Sequence, residues 1–113
     1  MDGVRFFADC QARVAVELIS GRWSMVVLYA LAEGPVRPGE LREQIGGISQ
    51  KVLTETLRRL ERNGLVQRDR YAEAPPRVEY SLTAAGADLL TPIRALGDWA
   101  AQYADQLPTG NEP

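Results

Sequence analysis

The sequence has no histidine at all, so the usual proton shuttle, the Ser-His-Asp arrangement and the common zinc sites lose their standard participants. A single cysteine, Cys10, excludes an internal disulfide and a cysteine-cluster metal site, leaving only a bond between two chains. Neither a GxGxxG fingerprint nor a Walker-type phosphate loop is present. No apolar run approaches the roughly 20 residues that cross a bilayer. The opening MDGVRFFADC has neither a basic segment nor a long apolar one, so no secretory signal is read and a cytoplasmic location is expected. Carboxylate-only catalysis survives these exclusions, but no paired acidic motif supports it. The expectation is a binding protein and not an enzyme, with no metal, no cofactor and no membrane partner.

What is there fits one globular domain. The chain has 113 residues, 45% of them hydrophobic and 25% charged, an ordinary balance for a folded chain of this size. A core this small gains from association with a second copy. The formal net charge of −2 is unevenly spread: residues 37–77 carry nine basic and six acidic side chains, and the rest of the chain carries four and nine. Twelve of the thirteen basic residues are arginine, the side chain suited to bidentate phosphate and guanine contacts. A basic face on an acidic molecule is therefore expected.

Periodicity and punctuation give the element order. Residues 10–19 form a short helix, and Trp23 to Ala32 is apolar nearly all round, as a central buried helix would be. Glu33-Gly34-Pro35 ends that helix, with Gly34 as its left-handed C-cap. A third helix starts around Pro38 with Glu40 near its positive end, and breaks at Gly46-Gly47. Ser49 caps the cleanest helix, 50–62, with Leu53, Leu57 and Leu60 on one face and Lys51, Thr54, Glu55, Arg58 and Arg62 on the other. Asn63-Gly64 stops it. Two strands follow, 65–71 and 78–82, joined by a loop stiffened by Pro75-Pro76. Thr83 caps a last helical region that Pro92 should kink or restart. Within it Leu89, Ile93, Leu96, Ala100, Tyr103 and Leu107 recur at alternating spacings of four and three, the seam of a coiled coil. The tail 108–113 should fray. The fold class is mainly α with a small β-hairpin (α+β). Two helices around a glycine turn, then a stiff-tipped hairpin, make a winged helix-turn-helix.

At this level of detail the chain resembles the HxlR-type regulators, a MarR-like group of bacterial winged-helix transcription factors. The resemblance rests on Cys10 with ELISGRW (17–23), GPVRPGEL (34–41), GISQKVLTETLRRLERNGLV (47–66), PPRVEYSLTAAG (75–86) and PIRALGDW (92–99). It departs from the group at Gln11, where a proline is common, and at Pro38, where an aromatic residue is frequent. The domain so implied spans 10–107, behind an N-terminal arm at 1–9. The resemblance implies a homodimer, with terminal helices and residues 4–19 forming the interface, that binds a pseudo-palindromic DNA operator. Repression is the expected sign of regulation. A winged-helix module that binds protein instead of DNA is the competing class.

Within that frame Gln50, Lys51 and Thr54 are candidates for base or near-base contacts, with Ser49 and Arg58 on phosphate. Arg37 leads into a helix start suited to phosphate, and Arg77 on the wing suits the minor groove or phosphate, with Arg70 and Tyr71 as helpers. A plain solvated surface is the alternative for each of these side chains. Glu55 would repel phosphate unless paired with Arg58 or Arg59, or set against a cytosine amino group. The six seam residues are dimer-interface candidates, part of the seam covering the chain's own core. Cys10 is the one redox-capable side chain. In several HxlR-type proteins a cysteine here senses oxidants or electrophiles, whereas a lone cysteine is also an ordinary apolar filler. Phe6, Phe7, Trp23, Tyr29, Trp99 and Tyr103 suit either core and interface or a small-molecule effector pocket between subunits.

Overall fold

The computed structural model of the chain describes residues 11–107. The N-terminal arm 1–9 with Phe6 and Phe7, the thiol of Cys10 and the tail 108–113 lie outside the described residues. The order is α1 (Gln11–Leu18), α2 (Ser24–Ala30), α3 (Pro38–Ile45), α4 (Gln50–Arg62), β1 (Val66–Tyr71), β2 (Arg77–Leu82) and α5 (Ala84–Gln102). Helices α3 and α4 form the helix-turn-helix, and the β1–β2 hairpin is the wing.

Local chemistry accounts for the ends of α4. The Ser49 hydroxyl accepts from the Val52 N–H at 3.1 Å, satisfying one of the first-turn donors that have no partner within the helix. At the other end Gly64 N–H donates to the Glu61 carbonyl and Leu65 N–H to the Leu60 carbonyl, at 3.0 and 2.9 Å. This is a Schellman closure, and it requires the positive φ of +80° that Gly64 supplies. Helix α3 begins with Pro38 in its first turn, and the Glu40 carboxylate accepts from the Arg37 backbone N–H at 3.3 Å.

The core gathers Val27, Leu28 and Leu31 from α2 and its C-cap, Leu41 from α3, Leu53, Leu57 and Leu60 from α4, and Ile48, Leu65, Val66, Tyr80 and Ile93 around them. The antiparallel hairpin pairs Val66 with Leu82 through to Tyr71 with Arg77. A two-residue bridge adds to it: Val36 and Tyr80 exchange both backbone hydrogen bonds at 2.9 Å. That bridge ties the segment entering α3 to the wing.

The hairpin is also welded to α5. Thr83 N–H donates to the Leu65 carbonyl, its hydroxyl donates to the Gly64 carbonyl at 2.7 Å, and the same hydroxyl accepts from Gly86 N–H at 3.1 Å. Gly86 packs directly on the Leu65 carbonyl, where a Cβ would collide with it.

Three expectations need correction. Helix α2 is not buried all round: Val27 and Leu28 are inside, but Met25, Val26 and Tyr29 are exposed, because α3, α4 and α5 cover only one side of it. Its C-cap is Leu31 and not Gly34, which follows a further turn at φ +140°. Pro92 does not restart the helix, since α5 runs through it from Ala84 to Gln102. Pro92 lies on an exposed side, where water can take the carbonyl that its missing N–H leaves unbonded.

Replacing Gly86 with alanine is expected to lower stability by about 1–3 kcal/mol through that clash, against the usual gain of Gly→Ala within a helix. The control Gly39→Ala has open space around its Cβ and should be neutral or raise stability by up to about 1 kcal/mol. Urea unfolding of both variants tests the pair, and equal effects would refute it.

Candidate nucleic-acid interface

The buried arc of α4 determines which side chains face outward. With Leu53, Leu57 and Leu60 at most 1% exposed, the helical periodicity turns Lys51, Thr54, Glu55, Arg58 and Arg62 to the other side, while Gln50, on the leucine side of the wheel, is exposed because it is the first residue of the helix, beyond the core. All are exposed except Thr54, which is half-buried. The Gln50 side-chain amide donates to the Thr54 hydroxyl at 3.2 Å, ordering the first turn of this face. The Ser49 oxygen is engaged as the cap, yet its O–H remains a donor that a phosphate could accept. This start of α4 also carries the positive end of the helix dipole.

A second group lies where the segment entering α3 meets the wing. Arg37 and Arg77 line one groove of about 410 Å³ together with Pro38, Glu73, Pro75 and Pro76. Arg37 is exposed. Arg77 is not: Glu73 and Glu79 reach its guanidinium at 3.3 and 3.4 Å, and it lies 4.2 Å from the centre of the Tyr71 ring. The structure thus gathers Lys51, Thr54 and Arg58 on one arc of α4 with Ser49 and Gln50 at its start, and Arg37 with Arg77 in one groove.

Glu55 is not paired with Arg59. The Arg59 Nη2 instead reaches back across the domain, donating to the Ser24 hydroxyl at 2.6 Å and to the Ser20 carbonyl at 3.0 Å. Ser24, fully buried, passes its own O–H to the Ser20 carbonyl at 2.8 Å. Gly21, at φ +105°, gives the guanidinium room, since a Cβ there would run into it. Arg59 therefore holds α4 against the α1–α2 junction. Sequence reasoning missed this role, although the helical wheel places Arg59 beside Val52 and Thr56, at the inner edge of the helix. Among the described residues no cluster of three or more metal-ligating side chains exists, and no helix is long and apolar enough to cross a membrane.

A capped helix with a polar outer arc, a preceding helix across a glycine turn and a hairpin wing define a winged helix-turn-helix fold, and the chain's relatives are transcriptional regulators of the helix-turn-helix type. Residues 18–108 match the HxlR-like helix-turn-helix family, and the chain belongs to that family. It is 45% identical over 98 residues to the HTH-type transcriptional regulator YkvN of Bacillus subtilis, covering 87% of this chain and 83% of that protein. Among solved structures it is similar to the redox regulator HypR in its reduced form, with a TM-score of 0.79, 33% identity and coverage of 85% and 95% of the two chains. It is also similar to diamide-treated YodB from B. subtilis, with a TM-score of 0.72, 36% identity and coverage of 82% and 92%.

The Arg59 assignment separates structure from DNA contact. Arg59→Ala is expected to lower unfolding stability by about 2 kcal/mol, the scale of hydrogen bonds from a charged donor, while the salt dependence of DNA binding stays that of the wild type. A slope shallower by about 0.9, with unchanged stability, would instead make Arg59 a phosphate contact.

Proposed function

We propose that the chain is a sequence-specific DNA-binding repressor that acts as a homodimer on a pseudo-palindromic operator. The observation that carries this reading is the outer arc of α4, where Lys51, Thr54 and Arg58 share one side of a helix whose opposite side is fixed in the core, with Gln50 exposed at its first turn. In this reading the start of α4 enters the major groove, Gln50, Lys51 and Thr54 read base edges, and Ser49, Arg58 and Arg37 hold phosphates.

Dimerisation is supported by apolar surface that the described residues leave uncovered. Val14 and Val16 on α1, Met25, Val26 and Tyr29 on α2, and Leu96 and Trp99 on α5 are all exposed. The α2 and α5 members flank a groove of about 630 Å³. The heptad-like seam divides accordingly. Ile93 is buried and Leu89 half-buried in the chain's own core, Leu96 and Ala100 are exposed, and Tyr103 and Leu107 are half-buried. A twofold pairing through the exposed part would set two α4 helices about one DNA turn apart.

Fluorescence anisotropy with DNA from upstream of the chain's own gene, against scrambled DNA of equal length, tests the reading. Tighter binding to the upstream fragment, weakening steeply with salt, is expected. Lys51→Ala should weaken that binding, and Leu96→Glu should produce a monomer in sedimentation and weaken it further. Absence of binding to either fragment at low salt would favour a protein-binding winged-helix module.

Cys10 is the proposed site of an oxidant response, supported by the likeness to HypR, a redox regulator, and to diamide-treated YodB. With one thiol per chain, diamide can oxidise two Cys10 thiols to an intersubunit disulfide, their two hydrogens reducing diamide to its hydrazine, or form a mixed disulfide with an added thiol. Loss of DNA binding on diamide treatment, reversed by dithiothreitol and absent in Cys10→Ser, is expected. An equal loss in Cys10→Ser would remove Cys10 from the response.

A further inference from the structure

The wing carries opposite electrostatics on its two sides. Side chains directly across an antiparallel ladder share a face, and those two residues along a strand return to it. The register therefore puts Gln67, Asp69, Tyr71, Arg77, Glu79 and Ser81 on one face, and Val66, Arg68, Arg70, Val78, Tyr80 and Leu82 on the other. On the first face Asp69 stands opposite Glu79, a like-charge pair that opposes pairing unless it is compensated. Arg77 is the only cation of that face, and it is fully engaged there. Its Nη2 lies 3.3 Å from Glu73, its Nε lies 3.4 Å from Glu79, and its plane sits over Tyr71 at 4.2 Å. The Nε is also buried without an aligned hydrogen-bond acceptor, so the guanidinium is placed by charge and stacking. On the second face Arg68 and Arg70 are exposed, and neither has an ion pair among the described residues.

We propose that Arg77 is a positioning residue that neutralises and braces the acidic face of the wing, and that Arg68 and Arg70 on the opposite face make the wing's phosphate contacts. A phosphate approaching the Arg77 face meets Glu73 and Glu79 on one shared cation, with the Asp69 carboxylate across the ladder from Glu79. The other face packs on the domain through Val66, Val78, Tyr80 and Leu82, but on the free β1 edge a phosphate meets the exposed guanidinium groups of Arg68 and Arg70, which have no ion pair to displace among the described residues. The wing thus offers phosphate its β1 edge and not the side on which Arg77 is held. This assignment rests on the DNA-binding reading and deepens it, moving the wing contact from Arg77 to its neighbours on β1.

Salt-dependent anisotropy with a fluorescein-labelled mixed-sequence duplex tests it, because each phosphate contact contributes about 0.9 to the log–log slope. The double variant Arg68→Gln/Arg70→Gln is expected to make the slope shallower by about 1.8. The triple variant Glu73→Gln/Arg77→Gln/Glu79→Gln, which removes the acidic pair and its cation together, should keep the wild-type slope. A wild-type slope in the double variant, or a slope shallower by about 0.9 in the triple variant, would overturn the assignment. Arginine Nε–Hε resonances of the unmutated protein give a second readout that does not depend on the variants folding. Those of Arg68 and Arg70 should shift on DNA addition while that of Arg77 stays in place, and the reverse pattern would overturn the assignment as well. If the wild type shows no salt-dependent binding, the DNA-binding reading fails first and takes this assignment with it.

Discussion

Rotation of α4 about its own axis is the degree of freedom on which the rest of the structure depends, and burial of three leucines removes it. Leu53, Leu57 and Leu60 are at most 1% exposed, and each fully buried leucine contributes about 1.5–3 kcal/mol relative to an exposed one. A turn of the helix by one residue's angle would lift part of that set into water and carry Lys51 or Arg58 toward the core. Arg59 adds a directional restraint, since only one rotation lets its Nη2 meet Ser24 and Ser20 together. The ends are held as firmly, by the Ser49 cap and the Gly64 closure. The outer arc is thus a consequence of the inner one.

From α4 the constraints pass outward along the chain. The closure at Gly64–Leu65 delivers the chain into β1, and Thr83 returns β2 to that same turn through two carbonyls. The Val36–Tyr80 bridge then joins the wing to the entrance of α3. Helix, wing and preceding helix are consequently positioned by a short set of backbone contacts around one turn. That arrangement suits a module required to present two polar surfaces in a defined relation. The charge asymmetry seen along the sequence has its counterpart in space. The basic excess falls in α4 and β1, with Arg37 at the cap of α3, while Glu73 and Glu79 of the wing are gathered around Arg77.

What was legible in the sequence is what depends on neighbours a few residues apart. The bounds of α4 follow from Ser49, Asn63-Gly64 and the leucine spacing, and the cap at Thr83 is equally local. Even the ends of the strands shift by only one residue. What was not legible is long-range. The Val36–Tyr80 bridge involves two residues with no pattern around them, and the reach of Arg59 to Ser20 spans 39 positions. The open face of α2 could not be read either, because an apolar helix looks the same whether its second face meets the chain's own core or is left uncovered. For the candidate site, Lys51, Thr54 and Arg58 fall on one arc of α4 as periodicity requires, and Gln50 is exposed only because it begins the helix. The engagement of Arg77 by Glu73 and Glu79 depends on the hairpin register and the path of a five-residue loop, which residue types alone do not specify.

The central claim is that the outer arc of α4 is a DNA-reading surface presented twice by a homodimer. The most direct measurement is hydroxyl-radical and methylation footprinting of the dimer on the DNA upstream of its gene. The account predicts two protected segments related by a dyad, about one helical turn apart, with guanine N7 protection in the major groove of each. Binding that leaves guanine N7 fully reactive in both half-sites, or that protects one segment with no dyad-related partner, would contradict it.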